Sequence, residues 1–236
     1  MMNLQVVLAG LIDYQEALKI QKRLLQLRQA GKIQDILLLL EHPPVITLGK
    51  RGKDTNILMP EDLLKSKGIK IYRIDRGGDV TYHGPGQIVG YPIMDLKNHG
   101  KDIRKFVRNI EEVFIRLLKE EYNITAGRDP EHIGVWVGEE KITAIGLSIK
   151  RWVSMHGFAF NVNTNLDHFN LINPCGIIDK GVTSLEKIVG HPLNMDKVID
   201  QVIKYISRIF GVEVQISKEA LKNNYDLLRG DDDERE

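Results

Sequence analysis

The sequence predicts an α/β (α+β) protein whose core is a mixed β-sheet flanked by helices. Continuous apolar runs such as Ile36 to Leu40 indicate strands buried on both faces, because a half-exposed strand would alternate apolar and polar residues. Amphipathic segments with an apolar residue every three or four positions indicate helices that cover the sheet. These helices and strands do not alternate strictly, which favours a mixed sheet over the parallel sheet of repeated βαβ units.

The first helix is recognised by its two ends. Asp13 can serve as its N-cap with Glu16 three residues later, and Gly31 ends it. Its apolar face consists of Ala17, Ile20, Leu24 and Leu27. The spacing of these four residues predicts that the helix packs on the core along one side.

Between residues 35 and 94 the sequence predicts four strands and one short helix. The strands are residues 35–40, 45–48, 69–74 and 88–94, and the helix is residues 61–67. Pro43-Pro44 separates the first two strands, and Gly68 ends the helix. Residues 76–87 are rich in glycine, and we interpret them as a loop.

The second half of the chain adds two long helices and a hairpin. The helix that begins at Asp102 has a predicted buried face of Ile103, Phe106, Ile110, Val113, Phe114 and Leu117. The later elements are a hairpin of residues 133–137 and 141–149, a strand at 152–161, a loop at 170–178, a helix from Asn194 or Asp196, a strand at 212–216 and a helix at 218–228. We expect one catalytic domain over residues 1–228 and a disordered acidic tail at 229–236.

Composition and charge exclude several classes of protein. Of 236 residues, 33 are Lys or Arg and 32 are Asp or Glu, so the net charge of +1 predicts no nucleic-acid partner. One cysteine excludes an internal disulfide framework and a cysteine-based zinc site. No apolar run approaches the ~18 residues of a membrane span, and the first ten residues lack the features of a signal peptide. We therefore expect a soluble, cytoplasmic protein with no membrane contact.

The glycine-rich segment at residues 76–87 is a candidate ligand loop. Four glycines in this segment would let the backbone approach a ligand closely and present N–H groups to it. It is not a Walker-type phosphate loop, because no Gly-Lys-Ser/Thr follows, and its glycine spacing differs from the dinucleotide fingerprint. Composition alone leaves two interpretations open, an irregular turn and a ligand-binding loop.

Cys175 and Lys141 are candidate reactive residues. Cys175 lies in Asn-Pro-Cys-Gly, whose polar and turn-forming residues favour an exposed sulfur over a buried, inert one. A thiol of pKa about 8.5 needs a nearby cation or base to act as a nucleophile, and Lys141, His83 and His156 are the candidates. Lys141 opens an apolar strand, where desolvation would lower the pKa of its amine. The alternative is a solvated lysine that follows a hairpin turn.

The histidines do not form a metal-binding pattern. His83 and His156 are each followed by glycine, which favours histidines hydrogen-bonded to the backbone. The chain has no His-Glu-x-x-His motif and no pair of cysteines. The sequence therefore predicts no metal site.

Several motifs together resemble the lipoyl(octanoyl) transferases. They are the run at 76–87 with Tyr91-Pro92, Glu41-His42-Pro43-Pro44 with Thr47-Leu48-Gly49, Lys141-Ile142-Thr143-Ala144-Ile145-Gly146, His156-Gly157-Phe158-Ala159 with Asn161-Val162, and Asn173-Pro174-Cys175-Gly176. They occur in the order of that family, and the resemblance covers roughly residues 4–184. The C-terminal helices are generic, and the acidic tail is not part of the pattern.

The resemblance implies a biotin/lipoate ligase-like fold and an acyltransferase of lipoate biosynthesis and protein lipoylation. It implies transfer of an octanoyl (or lipoyl) group from acyl carrier protein to a lysine of a lipoyl domain, in a 2-oxoacid dehydrogenase complex or the glycine cleavage H protein. It also implies that Cys175 is the acyl-thioester nucleophile, that Lys141 is its proton-transfer partner, and that no cofactor is needed. The implied substrate-binding residues are Arg76, Gly77, Gly78, Asp79, Val80, Thr81, Tyr82, His83, Ala144, Ile145, Gly146, Gly157, Phe158 and Ala159. Among these, we expect the small Gly146 to leave room for the acyl chain.

Two other functions remain as alternatives. An ATP-dependent lipoate-protein ligase of the same fold would activate a free acid as an acyl-adenylate and would need no cysteine nucleophile. A non-catalytic module that only binds lipoyl domains or carrier protein would bury Cys175 as an inert residue. The Asn-Pro-Cys-Gly motif and the glycine-rich run at 76–87 favour the transferase.

Basic residues suggest where an acidic carrier protein would dock. Lys101, Arg104, Lys105 and Arg108 lie at the start of one predicted helix, and Lys150-Arg151 lies at a strand end. The alternative is a solvated helix face whose charge is balanced by Glu111 and Glu112. Docking by charge predicts that affinity for the carrier weakens as salt rises.

Overall fold

The computed structural model describes residues 2–173 and 180–217 as two β-sheets packed with helices. The strands of these ranges are β1 (Met2–Leu11), β2 (Asp35–Glu41), β3 (Val45–Leu48), β4 (Lys70–Arg73), β5 (Val80–His83), β6 (Gln87–Ile93), β7 (Val135–Val137), β8 (Glu140–Lys150), β9 (Val153–Asn161), β10 (Gly181–Val182) and β11 (Val212–Ser217). The helices are α1 (Tyr14–Gln29), α2 (Glu61–Ser66), α3 (Ile103–Tyr122), α4 (Leu185–Val189) and α5 (Met195–Phe210). The mixed sheet flanked by helices is as predicted.

The larger sheet has the strand order β10-β8-β9-β6-β2-β1-β11 within the described ranges, with β7 also paired to β8. The pairs of β1 with β2 and β11 are parallel, and so is β10 with β8. The pairs β2–β6, β6–β9, β9–β8 and β8–β7 are antiparallel. Strands β8, β9 and β6 follow one another in this order. Motifs about 55 to 75 residues apart in sequence therefore lie close together in the sheet.

Helices cover both faces of this sheet. Phe114 of α3 packs against Phe158 and Phe160 of β9, and α5 contributes Val202 and Ile206 to the same buried cluster. On the opposite face, Ala17, Ile20 and Leu24 of α1 pack against the β2 side chains of even number, such as Leu38. The continuous apolar run of β2 is explained by this burial on both faces.

The smaller sheet has the order β4-β3-β5 and holds the glycine-rich segment beside the larger sheet. β3 pairs with β4 in parallel and with β5 antiparallel. Its core contains Ile46, Leu48, Val80 and Tyr82, together with Leu64 of α2. The short α2 therefore serves to close the apolar side of this sheet.

Several details differ from the sequence-based expectations, and β10 and α4 are further elements that were not predicted. Val80–His83 is a strand rather than part of a loop, because its β-branched and aromatic residues pair with β3. The predictions did not include β1, which pairs in parallel with β2 on one side and β11 on the other. Ile103, expected to be buried, is 43% exposed because it lies in the first turn of α3, at the edge of the core. The predicted helix at 218–228 and the tail at 229–236 lie outside the described residues.

Candidate active site

A cavity of about 410 Å³ lies beside strands of both sheets. Thirteen of the predicted site residues line it: Arg76, Gly78, Asp79, Val80, Thr81, His83, Lys141, Ala144, Ile145, Gly146, Gly157, Phe158 and Ala159. Gly77 and Tyr82 do not border it; Gly77 donates its N–H to the carbonyl of Leu147, and the Tyr82 hydroxyl lies 2.7 Å from His168 Nδ1. Cys175 lies outside the described residues.

The Arg76 side chain shapes the wall made by residues 76–79. Its guanidinium donates to the Thr47 carbonyl at 2.8 Å, to the Asp79 carbonyl at 2.9 Å and to the Gly77 carbonyl at 2.9 Å. The residue is only 8% exposed, and a buried cation must have its donors satisfied. The Arg76 side chain thereby joins the glycine-rich segment to β3, and this explains why the segment has a defined conformation.

Gly146 lets this segment lie close to β8. A Cβ atom at Gly146 would lie 2.8 Å from the Gly77 carbonyl oxygen and 3.2 Å from Arg76 Cδ. The space beside Gly146 is therefore occupied by residues 76–77, and the expectation that it leaves room for the acyl chain needs correction. The small residue at this position brings the two walls of the cavity together.

Gly157 has a similar role on the neighbouring strand. A Cβ atom there would lie 2.0 Å from the Gly90 carbonyl oxygen, which belongs to the backbone of β6 and cannot rotate away. We expect Gly157→Ala to lower the free energy of unfolding by about 1–3 kcal/mol, as measured by urea denaturation. Gly127→Ala is the matched control, because a Cβ at Gly127 would meet no atom within 4 Å. Equal stability of the two variants would contradict this account.

A β-bulge helps to direct Lys141 into the cavity. Strict alternation would place Lys141 on the face of β8 opposite Ala144 and Gly146. However, β7 pairs Val135 with Thr143 and Trp136 with Lys141, so one extra residue lies in β8 between these pairs. All three residues consequently border the same cavity. Nζ of Lys141 lies 4.7 Å from the centre of the Trp136 ring, which forms part of its surroundings at this wall.

A chain of hydrogen bonds fixes the orientation of His83. His83 Nδ1 lies 2.8 Å from Gln87 Oε1, and Gln87 Nε2 donates to Asn161 Oδ1 at 2.8 Å. Since Gln87 Oε1 can only accept, Nδ1 carries the proton and Nε2 has the lone pair. Asn161 donates to the Thr183 carbonyl, and the Thr183 N–H donates to the Lys141 carbonyl, both at 3.0 Å. The orientation of His83 is thus linked to the strand that carries Lys141.

Burial favours the neutral forms of His42, His83 and His156. Burial lowers the pKa of His83 to about 3 and that of His42 to about 4. His42 uses both ring nitrogens, because Nδ1 donates to the Ile12 carbonyl and Nε2 accepts from the Tyr91 hydroxyl, each at 2.7 Å. Burial also lowers the pKa of His156, whose Nε2 lies 3.1 Å from Asp75. A neutral histidine with a depressed pKa is a weak base, so these residues suit hydrogen bonding better than proton abstraction.

Sequence reasoning about the site omitted Tyr14, Gln87, Tyr91, Asn161 and Val182, all of which line the cavity. Gln87, Tyr91 and Asn161 belong to motifs that the sequence analysis had noted, so their positions could have been included. Tyr14 follows a helix N-cap and had no signal of its own.

Among residues 2–173 and 180–217, no group of three or more His, Cys, Asp or Glu side chains could hold a metal ion. No helix in the same ranges is long and apolar enough to cross a membrane.

Comparisons with known proteins show what this chain is similar to in sequence. The profile of the lipoyl protein ligase A/B catalytic domain matches residues 13–207. The octanoyltransferase of Desulforamulus reducens is 64% identical over 215 residues, which cover 91% of this chain and 94% of that protein. The sequence similarity is therefore high and extends over nearly the whole chain.

The fold also matches solved structures of much lower sequence identity. A lipoate-protein ligase A bound with ATP superposes with a TM-score of 0.76 at 17% identity, covering 97% of this chain and 95% of that one. Biotin protein ligase from Aquifex aeolicus, solved with biotin and ATP, gives a TM-score of 0.52 at 15% identity, covering 89% and 71%. The predicted biotin/lipoate ligase-like fold is therefore confirmed.

Proposed function

The chain belongs to the lipoyl protein ligase A/B catalytic-domain family and is an octanoyltransferase, and from this premise we propose that Cys175 carries the octanoyl group as a thioester between donor and acceptor. The proposed donor is octanoyl-acyl carrier protein. The proposed acceptor is a lysine of a lipoyl domain, in a 2-oxoacid dehydrogenase complex or the glycine cleavage H protein. The reaction is then a step of lipoate biosynthesis in the cytoplasm, performed by a single domain over residues 1–228.

In the first half-reaction the Cys175 sulfur attacks the carbonyl carbon of the donor thioester. A new C–S bond forms to Cys175, and the C–S bond to the donor breaks. Lys141 takes the thiol proton of Cys175 and delivers it to the departing donor thiolate, so that its own protonation state is restored. One thioester replaces another, and for this reason the exchange is close to isoenergetic and needs no ATP.

In the second half-reaction the acceptor lysine attacks the same carbonyl carbon as a neutral amine. A C–N amide bond forms and the C–S bond to Cys175 breaks. Lys141 accepts the proton lost by the attacking nitrogen and returns it to the cysteine sulfur. His83 borders the cavity with Nδ1 held by Gln87, so its lone-pair nitrogen Nε2 is suited to accept a hydrogen bond from a substrate N–H group.

The observation that carries the proposal is the position of Lys141 on the cavity wall. Lys141 borders the same cavity as the apolar residues Ile145 and Phe158, which can receive an acyl chain. Lys141 and Asn173 also border a second cleft, and Asn173 precedes Cys175 by two residues in the sequence. These placements support a shared site for proton transfer and acyl transfer.

Incubation with octanoyl-acyl carrier protein tests the thioester directly. We expect a mass increase of one octanoyl group on the intact protein, removable by hydroxylamine and absent from Cys175→Ser. An unchanged mass in a single-turnover reaction, with activity retained in Cys175→Ser, would contradict the proposal. Octanoylation that requires ATP and free octanoic acid would instead indicate the ligase reaction. Binding of both proteins without any transfer would indicate the non-catalytic module.

The position of Ala144 on the cavity wall predicts that a larger side chain there will slow the transfer of long acyl chains more than that of short ones. The Ala144 side chain borders the cavity. Its Cβ already fits among its neighbours, whereas a Cβ at Gly146 would lie too close to the Gly77 carbonyl oxygen. We expect Ala144→Leu to exclude two or three methylene groups of the octanoyl chain at ~0.8 kcal/mol each, lowering kcat/KM about 10–60-fold. A butanoyl donor should be transferred at a nearly unchanged rate. Equal losses with both donors would place the acyl chain elsewhere.

A further inference from the structure

A basic turn lies at the cavity, at residues 50–53. Lys50, Arg51 and Lys53 of this turn are exposed, and Arg51 borders the cavity. In the described ranges none of the three forms an ion pair; the neighbouring Asp54 is paired with Arg73 at 2.6 Å. The turn therefore presents three positive charges beside the cavity, and Asp79 and Glu131 are the acidic residues that border the same cavity.

The backbone of this turn is fixed to the cavity wall. Gly49 donates its N–H to the Asp79 carbonyl at 2.8 Å, Lys50 to the Arg76 carbonyl at 3.0 Å and Arg51 to the Gly78 carbonyl at 3.1 Å. These three bonds join the turn to residues 76–79, which line the cavity. A partner that binds the turn is thereby held at a defined position relative to the cavity.

The basic start of α3 is placed less favourably for docking a substrate. None of Lys101, Arg104, Lys105 and Arg108 borders the cavity, and the Lys101 ammonium lies 5.1 Å from the Trp152 ring, beyond the far end of β8. From Ala144 to Lys150 the strand rises about 20 Å. Glu111 and Glu112, the expected counter-charges, are bonded to Arg128 instead, and Glu112 also to Arg116.

We propose that residues 50–53 dock the acyl donor, an acidic carrier protein whose prosthetic arm adds a phosphodiester. This inference rests on the proposed function, since it assumes a carrier-borne donor. Positive charge at the turn attracts an acidic protein and its phosphodiester. The acceptor must bring a lysine to the same cavity, and the turn repels that cation. The charge therefore favours the donor over the acceptor.

Charge reversal outside the cavity lining tests this docking site. In Lys50→Glu/Lys53→Glu we expect the KM for octanoyl-acyl carrier protein to rise about tenfold or more, and the salt dependence of kcat/KM to become weaker. The small thioester octanoyl-pantetheine, which has no carrier and no phosphate, should react at an unchanged rate. The matched control is Arg104→Glu/Lys105→Glu, which changes the charge equally and should leave both donors unaffected.

Each outcome of this experiment has a defined meaning. Loss of carrier affinity only in the α3 control, an unchanged KM in the turn variant, or a rise in the KM of the acceptor alone would each overturn the proposal. An equal loss with octanoyl-pantetheine would also overturn it, because a docking surface for the carrier cannot affect a donor without one. If the unaltered protein forms no octanoyl adduct from either donor, it is the proposed function that fails.

Discussion

Lys141→Arg is expected to lower the rate of octanoyl transfer about 10²–10⁴-fold while leaving measurable reactivity of the Cys175 thiol. Arginine keeps the positive charge, and its planar guanidinium stacks well on Trp136, which lies 4.7 Å from the present ammonium. Arginine cannot release a proton at neutral pH, so the attacking amine loses its base. The variant therefore separates two properties of Lys141, its positive charge and its ability to transfer a proton.

Two measurements on the same variants check this expectation. Single-turnover transfer from the octanoylated protein reports the base, and the rate of alkylation by iodoacetamide at pH 7 reports the thiolate. Lys180→Arg is the matched control, because Lys180 lies 5.1 Å from the same Trp136 ring but is paired with Asp129 and Glu139. It should transfer octanoyl groups normally.

Other outcomes would change the assignment of roles. Near-normal transfer in Lys141→Arg would show that only the positive charge matters. Near-normal transfer in Lys141→Ala would require another base, and His83 and His156, which border the same cavity, are the candidates. Their depressed pKa values make that outcome unexpected. In the proposed mechanism the Cys175 thiol and the Lys141 amine exchange protons, so an apparent pKa measured for that pair would belong to both groups together.

The sequence was informative where local pattern decides the structure. Helix α1 begins after Asp13, whose side chain accepts from the Gln15 N–H, and α3 begins after Asp102, which accepts from Lys105. Capping bonds of this kind span two or three residues and can be read from a single stretch of chain. The continuous apolar run of β2 was equally clear, because both of its faces are buried.

The sequence was less informative where distant segments meet. The bulge that turns Lys141 toward Ala144 depends on pairing with β7, and no local pattern of β8 indicates it. Gly146 was expected to leave space for substrate, whereas its neighbour is the carbonyl of Gly77, about 70 residues away in sequence. The strand β5 was hidden by the glycines on both sides of it. In each case a tertiary contact outweighs local composition.

Acidification is expected to destabilise the protein well above the pH at which its carboxylates titrate. His42 and His83 are buried and neutral, with pKa values lowered to about 4 and about 3, while an unfolded histidine titrates near 6.5. Below pH 6.5 the unfolded chain takes up protons that the folded protein does not, so unfolding becomes more favourable. This stabilising contribution is present above pH 6.5 and is lost as the pH falls toward 4.

The size of the effect follows from these values. Between pH 7 and pH 5 each histidine contributes a loss of about 2 kcal/mol in the free energy of unfolding, or about 4 kcal/mol for the pair. Urea denaturation at several pH values measures it. His42→Asn should reduce the loss between pH 7 and pH 5 by about 2 kcal/mol, even though the variant is less stable overall, because the change with pH does not depend on the starting stability.

A matched control and a spectroscopic check make the assignment specific. His191→Asn is the matched control, because His191 is exposed. Nitrogen-15 chemical shifts should show His83 still neutral at pH 5.5, with its proton on Nδ1, as the bond to Gln87 requires. If the free energy of unfolding is constant from pH 7 to pH 5, or if His83 is charged at pH 5.5, the neutral hydrogen-bonded chain from His83 to Lys141 is wrong.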